Sequence, residues 1–166
     1  MGLFSFIKDA GEKLFGVGEA KAAEEVAKKD PTPVNVDAAN AAAAKAIKDY
    51  IAKNNLPTDG YEIKFDGASA TVIAQGDVDT QEHKEKVLLC CGNVAGVVAV
   101  QDQLNVPNAE PEATFHTVVS GDTLSKIAKE AYGNANAYMK IFEANKPMLS
   151  NPDKIYPGQV LRIPPQ

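Results

Sequence analysis

The sequence predicts an α+β protein built from two small domains. Three observations carry that expectation. Residues 37–106 switch between helical and strand periodicity in the order α-β-β-α-β. Residues 115–164 show a shorter β-α-α-β order. Between them lies Pro107–Ala113, PNAEPEA, which has the composition of a linker. A chain of 166 residues has room for two such units.

The chain starts with Leu3, Phe4, Ile7, Ala10 and Leu14 at helical spacing, opposite Lys8, Asp9, Glu12 and Lys13. This pattern predicts a short amphipathic helix over 3–15, packed on the first domain. Gly11 interrupts it, and Gly16 and Gly18 end it. Residues 16–36 are charged and Ala-rich, then pass through Asp30-Pro31-Thr32-Pro33. They read as a connector, either a solvated helix or a tether. The expected division is a segment 1–36, a first domain 37–106, a linker 107–114 and a second domain 115–166.

In the first domain Asp37, preceded by Val36, is placed to cap a helix. Ala39, Ala43, Ile47, Tyr50 and Ile51 then form one apolar face, and Pro57 closes it. Tyr61, Ile63 and Phe65 alternate with Glu62, Lys64 and Asp66, as in a strand with one wet face. Asp66-Gly67 signals a hairpin, and Ser69–Gln75 returns. Asp79 and Glu82 resemble a capping box for a second helix, with Val87, Leu88 and Cys91 inward. The stretch Val87–Val106 organises the domain: a helix end, the turn Gly92-Asn93-Val94-Ala95-Gly96, then a valine-rich strand.

In the second domain Phe115–Val119 is strand-like, and Ser120–Leu124 turns into a helix. Leu124, Ile127, Ala128 and Ala131 face inward until Tyr132-Gly133-Asn134. Tyr138, Ile141 and Phe142 mark a second helix ending at Asn145-Lys146-Pro147. Ile155–Gln159 then turns into a strand over Val160–Ile163.

The formal net charge is −5, from 22 acidic and 17 basic residues. That disfavours nucleic acid and anionic membrane surfaces, which select basic patches. No apolar run is long enough for a transmembrane segment. The start lacks the basic region of a signal peptide, and Lys8-Asp9 break its apolar run. Phe6 stands where myristoylation after Gly2 needs Ser or Thr. A cytoplasmic protein is expected. Cys90 and Cys91 are the only cysteines, adjacent on an apolar helix end, and read as small buried hydrophobes. Neither His83 nor His116 has a nucleophile at a recognisable spacing, so no enzyme is expected.

These segments also carry family resemblances. Residues 37–106, with a glycine-containing turn before the last strand, resemble a BON domain. Residues 115–164 strongly resemble a LysM domain, through SGDTL at 120–124 and YPGQVLRIP at 156–164. The LysM resemblance implies binding of N-acetylglucosamine polymers, with peptidoglycan fragments as a partner. The groove would be formed by Ser120, Gly121, Asp122, Thr123, Asn145 and Ile155, with Tyr156 the nearest aromatic face.

The start MGLFSFIKDAGEKLF, followed by one BON and one LysM domain, closely resembles the small cytoplasmic potassium-binding proteins of Gram-negative bacteria. That resemblance implies a monomeric K⁺ sensor or buffer in which the ion orders the BON domain against the LysM domain. It also implies an ion held by backbone carbonyls of Ile7, Lys8 and Ala10, with those of Gly92, Val94 and Val97. The chemistry is coherent, because K⁺ is weakly hydrated and suits neutral carbonyls. Helix ends leave such carbonyls unpaired and partly negative. A continuous helix over 3–15 would occupy the Ile7 carbonyl, so the resemblance requires a break near Lys8 with Gly11 in a turn. Two rival readings are a wall-localising LysM module and an adaptor whose BON domain contacts a protein or lipid.

Overall fold

A computed structural model describes residues 2–6, 9–108 and 110–166 of the chain. The first domain is a four-stranded sheet in the order β1-β4-β3-β2, with helices packed on it. Its hairpin is formed by β2 (Tyr61–Asp66) and β3 (Thr71–Asp77). The predicted turn at Asp66-Gly67 is there. The Asp66 carboxylate accepts from Ala68 N, and Asn40 Oδ1 accepts from Gly67 N, tying the hairpin to a helix.

The segment expected as a helix over 3–15 instead opens with a strand, β1 (Gly2–Ser5), antiparallel to β4 (Ala99–Asn105), and its described residues 9–15 run through turns. Without it β4, parallel to β3 on one side, would leave its other edge unpaired. The residues GLFSF also fit a period of two, with Phe4 and Phe6 against the core and Leu3 exposed. Local helical spacing loses to the open sheet edge.

Part of the connector is a helix, α1 (Gly18–Lys29), lying along α2 (Pro33–Lys53). The latter begins before Asp37, which lies inside it. Thr32 is the cap, its Oγ1 accepting from Asn35 N, and Pro33 occupies the first helical position, where its missing N–H costs nothing. Likewise Thr80, not Asp79, caps α3 (Gln81–Gly92) by accepting from His83 N. Ile47 and Ile51 of α2 meet Val72, Ala74, Val87 and Val100 in the first core.

In the second domain β5 (Thr114–Thr117) and β6 (Val160–Ile163) pair antiparallel. Thr123 caps α4 (Leu124–Tyr132), and Gly133 ends it in the left-handed conformation, φ +71°. A short 3-10 turn leads into α5 (Tyr138–Ala144). Leu124, Ile127, Ile141 and Leu161 anchor this separate core.

The two domains touch along α3. Val87, Leu88, Leu89, Cys90 and Cys91 are all buried, because β6 covers the face that the sheet does not. Glu85 is buried there, its Oε2 accepting from Arg162 Nε of β6 at 2.6 Å. Its Oε1 accepts from Ala113 N and Gln81 Nε2. Phe4 of β1 meets Phe115 of β5 edge-on, ring centres 5.4 Å apart.

Candidate ion-binding turn

The turn after α3 is built so that its side chains point inward and its main chain is left facing another segment. Val94 and Val97 are fully buried. Gly96 has φ +95°, which reverses the chain before β4. Val97 N donates to Val94 O at 3.1 Å. The last turn of α3 carries no basic residue, so its partly negative carbonyl end is not offset locally.

The N-terminal segment is fastened across this turn at two points. Phe6 N donates to Val98 O at 2.7 Å. Beyond the loop, Glu12 N donates to Asn93 O at 2.6 Å, and Glu12 O accepts from Ala95 N at 2.8 Å. Phe6 and Glu12 are thereby held at opposite ends of the turn. Two glycines make the approach possible. Gly11 has φ +108°, and a Cβ there would collide with the Asn93 carbonyl. A Cβ on Gly92 would collide with the Phe6 ring.

Of the six residues expected at the ion site, Ala10, Gly92, Val94 and Val97 belong to these two strips of backbone. Ile7 and Lys8 lie outside the described residues. Gly11 does adopt the turn conformation that the resemblance required. Among the described residues, no N–H is placed on the carbonyls of Ala10, Gly92 or Val97, whereas that of Val94 accepts from Val97. No group of three or more His, Cys, Asp or Glu suited to a metal occurs among the described residues. What the turn offers is neutral main-chain oxygen.

Sequence reasoning missed Phe6, Glu12 and Asn93. The first two fall inside the helix expected over 3–15, and the third is named only as part of the turn Gly92–Gly96. Asn93 is only 4% exposed, and its carboxamide leaves the turn to bond the second domain.

The residues expected in a glycan groove are placed differently. Asp122 Oδ2 accepts from His116 Nε2 at 2.9 Å and from Val119 N at 3.0 Å. The His116 hydrogen bond, first among its causes, holds the Asp122 carboxyl below the usual carboxylate range. Thr123 Oγ1 accepts from Lys126 N as a helix cap. Asn145 is 1% exposed, and its carboxamide is engaged by Ile141 and Arg162. Ser120 and Gly121 are exposed, and Ile155 packs on the second core. Tyr156 is 39% exposed.

Both cysteines are free and buried, and burial pushes the Cys90 thiol up to about 12 and Cys91 well above its ordinary value. His83 is engaged with Pro57 O. No helix of the described residues is long and apolar enough to cross a membrane.

Comparison with known proteins agrees with this organisation. The BON domain family model matches residues 39–108, and the LysM domain family model matches 116–164. The potassium binding protein Kbp of Escherichia coli is 47% identical over 165 residues, 99% of each chain. An uncharacterized protein of Deinococcus radiodurans is 36% identical over 133 residues, covering 73% of this chain and 51% of its own. Identity at that level along nearly the whole length means that this chain, a BON domain followed by a LysM domain, belongs to the family of the potassium binding protein Kbp.

Proposed function

We propose that this chain is a non-enzymatic, monomeric K⁺-binding protein of the cytoplasm, acting as an ion sensor or buffer. The ion would be held by the carbonyls of Ile7, Lys8, Ala10, Gly92, Val94 and Val97, and its binding would order the BON domain (37–106) against the LysM domain (115–166) across the linker 107–114. One observation carries the reading. Phe6 and Glu12 of the N-terminal segment bond opposite ends of the turn, and among the described residues no N–H is placed on the Ala10, Gly92 and Val97 carbonyls.

Neutral carbonyls favour a weakly hydrated monovalent cation, whereas Ca²⁺ would call for clustered carboxylates. A carbonyl has two lone pairs, so the Val94 oxygen can accept from Val97 and still face an ion. The Escherichia coli relative, a potassium binding protein, supports the same ion. Two free buried thiols suit a reducing compartment.

Calorimetric titration with KCl and NaCl at matched ionic strength tests the reading. Saturable heat with KCl and none with NaCl is expected. Indistinguishable titrations would refute selective K⁺ binding. The LysM match supports a second reading, binding of peptidoglycan fragments, although Asp122, Thr123 and Asn145 are already engaged within the fold. Retention of the full chain on purified peptidoglycan would favour it.

A further inference from the structure

The strand β6 has one edge on β5 and one edge facing away from it. Two asparagines close that second edge by the same device. Asn145, the residue after α5, donates Nδ2 to Arg162 O at 2.8 Å and accepts from Arg162 N at 2.7 Å. Asn93, the residue after α3, donates Nδ2 to Val160 O at 2.8 Å and accepts from Val160 N at 2.8 Å. Each carboxamide also bonds back to its own helix, on Ile141 O and Leu89 O. Each therefore imitates a strand residue and is held rigidly from behind.

The difference is where the two come from. Asn145 belongs to the LysM domain. Asn93 belongs to the BON domain, 67 residues from Val160, and is flanked by Gly92 and Val94 of the ion-binding turn. Its own carbonyl accepts from Glu12 N of the N-terminal segment. One buried residue thus joins both backbone strips of the turn to the edge of β6. A shift of that turn moves the Asn93 Cα, and with it the carboxamide on which Val160 depends.

We propose that Asn93 is the positioning residue that couples the ion-binding turn to the LysM domain, so that its side chain sets both domain docking and ion affinity. This rests on the K⁺ reading above. Linkage makes the coupling reciprocal: if the ion favours the docked turn, docking must favour the ion by the same factor. Couplings between sites commonly span about 5- to 150-fold, and loss of the Asn93 carboxamide removes this one.

The test uses the full chain with Asn93→Ala, and with Asn93→Gln, which keeps the carboxamide but displaces it by one methylene. Gln keeps the proposal testable should the alanine variant not fold. In NaCl alone, hydrogen exchange at the Val160 amide should quicken in both variants, while Arg162, held by Asn145, keeps its wild-type rate. An unchanged Val160 rate would show that Asn93 docks nothing. Calorimetry with KCl should then give an affinity about tenfold weaker for Asn93→Ala and intermediate for Asn93→Gln. Wild-type affinity in a variant with a loosened Val160 would overturn the coupling. Absence of K⁺ heat in the wild-type chain would remove the ion reading and the coupling with it, and the NaCl exchange result would still decide whether Asn93 holds the domains together.

Discussion

The two domains close their decisive turns by opposite means. In the BON domain the turn at Gly92–Val98 buries Val94 and Val97 and joins a distant segment through backbone hydrogen bonds. In the LysM domain the turn at Val119–Thr123 is closed by its own side chains, Asp122 onto His116 and Val119, Thr123 onto Lys126. Sequence reasoning marked both as candidate binding sites. The two turns differ in which groups remain available for a ligand. Polar side chains in the second are occupied in holding the fold. Apolar side chains in the first leave carbonyl oxygens as the outward chemistry. Changes that displace the backbone of the first turn should therefore act on ion binding, and changes to the side chains of the second on stability.

The largest contrast comes from removing residues 1–11. That takes away β1, Phe6 and the N-terminal carbonyls. K⁺ heat should vanish in calorimetry, while amide signals of 115–166 keep the dispersion of a folded domain. Undiminished K⁺ uptake would break the two-segment site.

At the boundary between the domains, Glu85→Ala would strand the Arg162 guanidinium and leave Ala113 N without its acceptor. Breaking such a buried pair costs about 3–5 kcal/mol, readable in urea unfolding. A loss under about 1 kcal/mol would place the holding energy elsewhere in the interface.

Next comes a matched pair, one substitution per turn. Gly11→Ala forces a Cβ onto the Asn93 carbonyl at φ +108°, a backbone conformation costing about 1–3 kcal/mol for other residues. It should weaken K⁺ binding. Thr123→Ala should cost about 1 kcal/mol of LysM stability through the lost cap and leave K⁺ affinity unchanged. If K⁺ affinity moved equally in both, the contrast between the turns would be gone.

The smallest effect is a pH dependence confined to the second turn. Asp122 titrates lower in the folded chain than in the unfolded one. Its contribution is therefore present above the unfolded carboxylate pKa of about 3.9 and is lost as pH falls through the lower folded value. Denaturation of the wild-type chain and Asp122→Asn across that acid window should show a shallower acid slope in the variant. Identical slopes would remove Asp122 from the account.

The order of elements in both domains was legible in the sequence, because each segment carries its own period. Ile47 and Ile51 fall on one helical face, Tyr61 and Ile63 alternate along a strand, and Gly133 stops a helix where its positive φ is needed. Part of the candidate site was legible too, since Gly92 and Gly96 mark a turn at a helix end. Residues 2–6 were not, because GLFSF satisfies both periods and only the open edge of β4 chooses between them. Nor was the all-round burial of α3, which needs β6 on its outer face. Asn93 gave no local sign of its role either, since an asparagine after a helix reads as an ordinary cap. Outside residues 2–6, periodicity and caps acting within a few residues were enough to set what most segments become. Which backbone meets which emerges on folding, because the partners of Asn93, Glu12 and Val160 lie far along the chain and no local pattern records them.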